Sequence, residues 1–247
     1  MKKYIRLKDK HDERDHKYKI TSAIDVPHIV DLRDKCSPVE DQGELQSCTG
    51  HAFVGALEYL ENVQQEEFIS LSRSFVYYNE RLLEDAIDED GGAALRDGIK
   101  VIAKYGVCDE ALCPYDVKKF KRKPSEAAYA DALRHKALEY HSVDQTEESI
   151  THCLAWNRPV VFGIMIFESF ESNEVAASGV VEMPREGEQC LGGHAVLMVG
   201  YNMHKRMFLV RNSWGPNWGA EGYFWIPFDY VLDSNLADSF WTISKLS

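Results

Sequence analysis

Asp41-Gln42-Gly43-Glu44-Leu45-Gln46-Ser47-Cys48-Thr49-Gly50-His51-Ala52-Phe53 runs from a turn directly into a helix. Phe53, Ala56, Leu57, Leu60 and Val63 recur at helical spacing and predict a helix over about 47–65. Ser47 and Cys48 then fall in its first turn, where unpaired backbone N–H groups and the positive dipole end favour an anion. A thiol placed there ionises more easily, and the thiolate is the nucleophilic form. Cys48 is therefore a candidate nucleophile. Taken alone it is more simply read as a buried cysteine packed as a small hydrophobe.

Two distant stretches supply partners. Leu191-Gly192-Gly193-His194-Ala195-Val196-Leu197 places a histidine ahead of an apolar run. Phe208-Leu209-Val210-Arg211-Asn212-Ser213-Trp214-Gly215-Pro216-Asn217-Trp218-Gly219 follows it. In order and local wording, the three blocks resemble the papain-like cysteine peptidases. The shared pattern is a Gln-Gly turn with the nucleophile six residues after the Gln, a distant His-Ala, then Asn-Ser-Trp-Gly and a second Trp-Gly. It covers about residues 30–247.

The resemblance implies an α+β, two-lobed fold with the active-site cleft between the lobes. A helical lobe would span about 35–135 and a β-rich, barrel-like lobe about 136–235, with a closing strand at 236–247. It implies hydrolysis of peptide bonds through a thioester, with Cys48 as thiolate nucleophile and His194 as acid and base. Asn212 would orient the imidazole. Gln42 and the Cys48 N–H would form the oxyanion hole. Trp214 would shield the His–Asn bond, and Gly91, Gly92 and Gly193 would present bare backbone to an extended substrate. Ala237-Asp238-Ser239-Phe240-Trp241 would put Asp238 at the floor of the pocket for the second side chain upstream of the cut, where a carboxylate admits Arg or Lys. A related amidase or acyl transferase, or an inactive binding homologue, would use the same scaffold.

The chain departs from the family in three places. Thr49 stands where many relatives have Trp, which would alter the cleft wall on the leaving-group side. Leu45 and Glu89 replace a disulfide pair of secreted relatives. Only about 24 highly charged residues precede the domain, where papain-like zymogens carry a far longer prosegment; the chain thus resembles a short bacterial or viral type. These residues read as a solvated tail or as a cover over the cleft, and their deletion is expected to leave stability roughly unchanged.

With 247 residues and 45% hydrophobic content, the chain suffices for one large domain or two joined lobes. A net charge of −12 argues against a nucleic-acid partner and a polybasic membrane anchor. No apolar run reads as a secretory signal or a membrane span, which leaves the cytoplasm or a non-signal export route. The expected partner is a peptide or protein substrate, with the protein acting as a monomer. Cys36, Cys48, Cys108, Cys113, Cys153 and Cys190 include no CxxC pair, so neither a metal site nor a cofactor is expected. Cys108 and Cys113 are close enough to pair, and the sequence leaves that open.

Further helices are predicted after Ser70 or Ser72, over about 94–105 up to Gly106, from Ser125 to about 138, and from Thr146 to 156. Strands are predicted over 159–167, 195–201, 207–211, 223–226 and 240–243. His51, one turn along the Cys48 helix, points along that helix and is a poor candidate base. His11, His16, His28, His135, His141, His152 and His204 belong to no constellation and are expected at the surface.

Overall fold

Capping and apolar spacing set the helices. The computed structural model describes residues 4–9, 12–13, 15–20, 26–65 and 68–247, so only part of the charged N-terminal segment is described, and His11 falls outside it. Helix α1 is Cys48–Gln65, and its Phe53, Ala56 and Leu57 are buried as the spacing requires. Helix α2, Arg73–Leu83, starts at Ser72, whose side chain accepts from Phe75 N at 3.0 Å, which selects Ser72 over Ser70 as the cap. Helix α3, Leu95–Lys104, ends at Tyr105, and Gly106 follows at φ +78°, the left-handed position that glycine fills most readily. Helix α4 is Glu126–Ala132 and α5 is Glu147–Ala155, capped by Ser125 and Thr146 respectively. Asn173–Ser178 (α6) and Phe228–Leu232 (α7) are short.

The strands are β1 Ile29–Asp31, β2 Ala137–Ser142, β3 Val160–Phe167, β4 Cys190–Asn202, β5 Met207–Arg211, β6 Tyr223–Pro227 and β7 Ala237–Leu246. They form one antiparallel sheet in the order β2-β7-β3-β4-β5-β6, with β1 on β4. The architecture is mixed α+β, and the β-rich part, read from the sequence as barrel-like, is a sheet that does not close. Helix α4 stops at Ala132, short of the predicted 138, and Leu138 lies in β2, which pairs with β7. The alanine- and leucine-rich run that suggested a longer helix is overridden by pairing with a strand about a hundred residues away.

Helix α1 packs against β4, which brings its N-terminus to the sheet. Arg73 and Glu58 form a buried ion pair at 2.7 Å, and Glu58 also accepts from Ser37 Oγ and Leu71 N. That satisfies most of a pair whose burial would otherwise be costly. All six cysteines are free, so Cys108 and Cys113 do not pair. Among the described residues no helix is long and apolar enough to cross a membrane, and no cluster of metal-ligating side chains occurs.

Candidate active site

The turn before α1 is fixed from several sides. Gln42 N donates to Ser213 O at 2.8 Å, and Asp41 bridges Trp214. Tyr115 OH donates to Gln42 O at 2.8 Å and meets Ser47 Oγ at 2.6 Å, tying the turn to the residue just before the helix. Gln42 is itself oriented: its Oε1 accepts from Ser213 Oγ at 2.5 Å and its Nε2 donates to Leu45 O at 2.7 Å. Nothing local in the sequence pointed to Tyr115, whose partners lie about 70 residues away.

Cys48 opens α1 and is 4% exposed. Its Sγ accepts from Ala195 N at 3.4 Å, which places the residue after His194 directly on the sulfur. His194 lies in β4, and its Nε2 is 2.9 Å from Asn212 Oδ1, just beyond the end of β5. Asn212 Oδ1 also accepts from Ser213 N at 2.8 Å, so its oxygen is fixed toward the imidazole. The indole of Trp214 lies over His194, with ring centroids 5.2 Å apart. Cys48, His194, Gln42, Gly193 and Trp214 line one small cavity of about 20 Å³, and Tyr4 closes it.

The N-terminal segment fills the rest of the cleft. Gly193 N donates to Tyr4 O at 3.1 Å, Ile5 N donates to Gln46 Oε1 at 3.2 Å, and Leu7 N donates to Ala93 O at 3.3 Å. The Tyr4 ring stands edge-on to His194, and its hydroxyl donates to Glu171. Gly92, at φ +72°, faces this segment: a Cβ there would lie 1.9 Å from Ile5 O. A Cβ on Gly91 would meet nothing within 4 Å.

The Arg6 side chain, 2% exposed, enters a pocket whose floor is Asp238. Nη1 and Nη2 each lie 2.8 Å from a different oxygen of that carboxylate, the two-point geometry a guanidinium favours. Gly163 on β3 stands opposite Asp238, and a Cβ on it would lie 2.3 Å from Arg6 Cζ. Gly163 is thus a pocket residue that the sequence presented only as part of an apolar strand.

In this covered state burial pushes the Cys48 thiol up to about 11, against the lowering effects of the Ala195 N–H and the Arg6 charge. Two expectations need correction. Thr49 does not shape the cleft wall; it is fully buried and donates to Glu80 Oε2 at 2.7 Å. His152 is buried, not superficial, with Nδ1 2.9 Å from Tyr18 OH and Nε2 accepting from Trp156 Nε1 at 3.2 Å.

The sequence profile described as papain family cysteine protease matches residues 26–239, the stretch that carries Cys48, His194 and Asn212. The chain belongs to that family. A member of the papain family is a cysteine protease, a hydrolase of peptide bonds. This papain-family chain is 45% identical over 237 residues to an uncharacterized peptidase C1-like protein, L477, of Acanthamoeba polyphaga mimivirus, covering 92% of this chain and 76% of the viral one. It is 29% identical over 220 residues to procathepsin L of Rattus norvegicus, covering 83% of this chain and 62% of the relative, so less than two thirds of that protein has a counterpart here. Among solved structures, xylellain, a cysteine protease from Xylella fastidiosa, matches with a TM-score of 0.89 at 36% identity, covering 100% of this chain and 97% of that one. Digestive procathepsin L 3 of Tenebrio molitor larval midgut, at 20% identity and TM-score 0.73, shares the fold.

Proposed function

We propose that this papain-family protease cleaves peptide bonds through a thioester on Cys48, with residues 25–247 as the peptidase domain. The observation that carries the reading is the shared cavity of Cys48, His194 and Gln42, together with the 2.9 Å contact from His194 Nε2 to Asn212 Oδ1. An amide oxygen only accepts, so Nε2 carries the hydrogen and Nδ1 is the nitrogen left to exchange a proton with the thiol. Cys48 Sγ attacks the scissile carbonyl carbon, and His194 passes the thiol proton to the leaving amine as the C–N bond breaks. Water then attacks the thioester with His194 as base, releasing the acid and restoring the thiol. Gln42 Nε2 gives one hydrogen to Leu45 O, and its second supplies the oxyanion together with the Cys48 N–H. Asn212 holds the imidazole in this tautomer.

Residues 4–9 keep the chain in a covered state. A substrate would meet the Asp238 pocket first and the Trp214 side of the nucleophile afterwards. The N-terminal segment runs the opposite way, since Tyr4 lies at His194 and Trp214 and Arg6 follows at Asp238. It therefore fills the cleft without presenting a bond in the cleavable sense.

Cleavage of a peptide library by the full chain, beside Cys48→Ala, tests the assignment. His194→Ala should lose about as much kcat as Cys48→Ala, on the order of 10⁴-fold or more, and Asn212→Ala should keep measurable turnover. Equal cleavage by wild type and Cys48→Ala would overturn it.

A further inference from the structure

A second cavity, of about 10 Å³, lies behind the Asn212 side chain and is lined by His51, Arg211, Asn212 and Ser213 among others. Its size matches a single water molecule. Two of these side chains carry buried polar atoms that no protein atom pairs, His51 Nε2 and Asn212 Nδ2. Both residues are more than nine-tenths buried, at 6% and 4% exposure.

The two atoms are chemically complementary. Asn212 Oδ1 is engaged by His194 and Ser213, so the remaining amide nitrogen offers only donors. His51 Nδ1 lies 3.0 Å from Ser47 O, a carbonyl that only accepts, so Nδ1 holds the ring hydrogen and Nε2 is a bare acceptor. Burial, with the nearby Arg73 charge, lowers the His51 pKa to about 3 and keeps the ring neutral, as the geometry requires. A donor and an acceptor thus face one cavity the size of a water molecule, and buried polar groups of this kind are normally satisfied through one.

We propose that a single buried water accepts from Asn212 Nδ2 and donates to His51 Nε2, and that His51 is thereby a positioning residue for the Asn212–His194 pair. This rests on reading Asn212 as the group that orients His194. The bridge acts with the Ser213 N–H to select one of the two faces the amide could turn. With the amide reversed, Nδ2 would oppose the protonated Nε2 of His194, two donors facing each other while the imidazole carries the thiol proton. Held by the bridge, Oδ1 stays toward His194. The histidine that is badly placed to act as a base thus acts through the triad's third member.

The test uses the full chain and four variants: His51→Met, which removes the acceptor; His51→Gln, whose amide oxygen can occupy the Nε2 position; Asn212→Ala; and Asn212→Ala combined with His51→Met. His51→Met should lower kcat about tenfold with KM unchanged, and His51→Gln should stay within about threefold of wild type. In the Asn212→Ala background His51→Met should cost less than about twofold, because the group it positions is gone. An equal loss in both backgrounds, or a wild-type rate for His51→Met, overturns the proposal. A high-resolution crystal structure of the wild-type chain should show density for one water between the two side chains. Absence of that density overturns the proposal even if His51→Met fails to fold. A wild-type chain without peptidase activity would instead count against the catalytic reading, with the density still deciding the bridge.

Discussion

At Cys48 two effects oppose one another. The helix start and the Ala195 N–H favour a thiolate, each through partial charges, while complete burial beneath Tyr4 and Arg6 removes the water that would solvate it. Burial is the larger effect and pushes the thiol pKa up, to about 11. Iodoacetamide should therefore label Cys48 in the full chain more slowly at pH 7 than it labels a free thiol. The rate should rise as pH approaches 11, and mass spectrometry of the labelled peptide follows it. Deleting residues 1–24, which takes Tyr4 off the cavity, should speed labelling at pH 7. The Asp238 pocket gives a second prediction. Asp238→Ala should lower the Arg-to-Leu ratio of kcat/KM, for peptides varied two residues upstream of the cut, by about tenfold or more. Gly163→Ala should lower the same ratio by filling the space the guanidinium occupies, while leaving the carboxylate in place. Asp238 could be proposed from the sequence because a motif suggests its register, and in the structure it pairs with Arg6. Gly163 could not, because only the pairing of β3 with β7 sets it opposite Asp238.

The helices were readable because their signals are local. Ser72 and Thr146 cap α2 and α5 within three residues of the groups they satisfy, and the apolar run read over 159–167 is a strand from Val160 to Phe167. Strand β2 was missed because its partner is β7 and its burial does not alternate cleanly along Ala137–Ser142. The same distinction hides Glu80, a carboxyl on α2 sunk against α1 and α3. Its Oε2 accepts from Thr49 Oγ1, its Oε1 has no protein partner, and burial first of all pushes its pKa up to about 8. A carboxyl whose folded pKa is raised binds its proton more tightly folded than unfolded. Its contribution to stability is complete in acid, at and below the ordinary carboxyl range near 4.5, and is lost as pH climbs toward about 8. Urea unfolding of the wild type should therefore show a falling midpoint between pH 5 and 8. Glu80→Gln, which cannot ionise, should flatten that fall.

Across the whole molecule the N-terminal segment is more than a charged tail. Tyr4 and Tyr18 are buried, Asp9 accepts from Trp241 Nε1 and Arg96 N, and Tyr18 N and Ser142 N exchange bonds with Ser142 O and His16 O. Deleting residues 1–24 removes this burial, so the shortened chain should melt several degrees lower, about 1 to 3 kcal/mol less stable, contrary to the expectation from composition. It should also turn over small peptides with a higher kcat/KM. Equal kinetic constants for the two forms would show that the segment leaves the cleft on its own. Because the segment is part of the same chain, it acts as a competitor that dilution cannot remove. A tether of this length presents its own ligand at an effective concentration of about a millimolar, however little protein is in the tube. Apparent KM should then be raised by one common factor for every substrate, with kcat untouched and no dependence on enzyme concentration. The full and the shortened chain should then rank substrates in the same order, and the segment sets how much enzyme is open rather than which peptide is chosen.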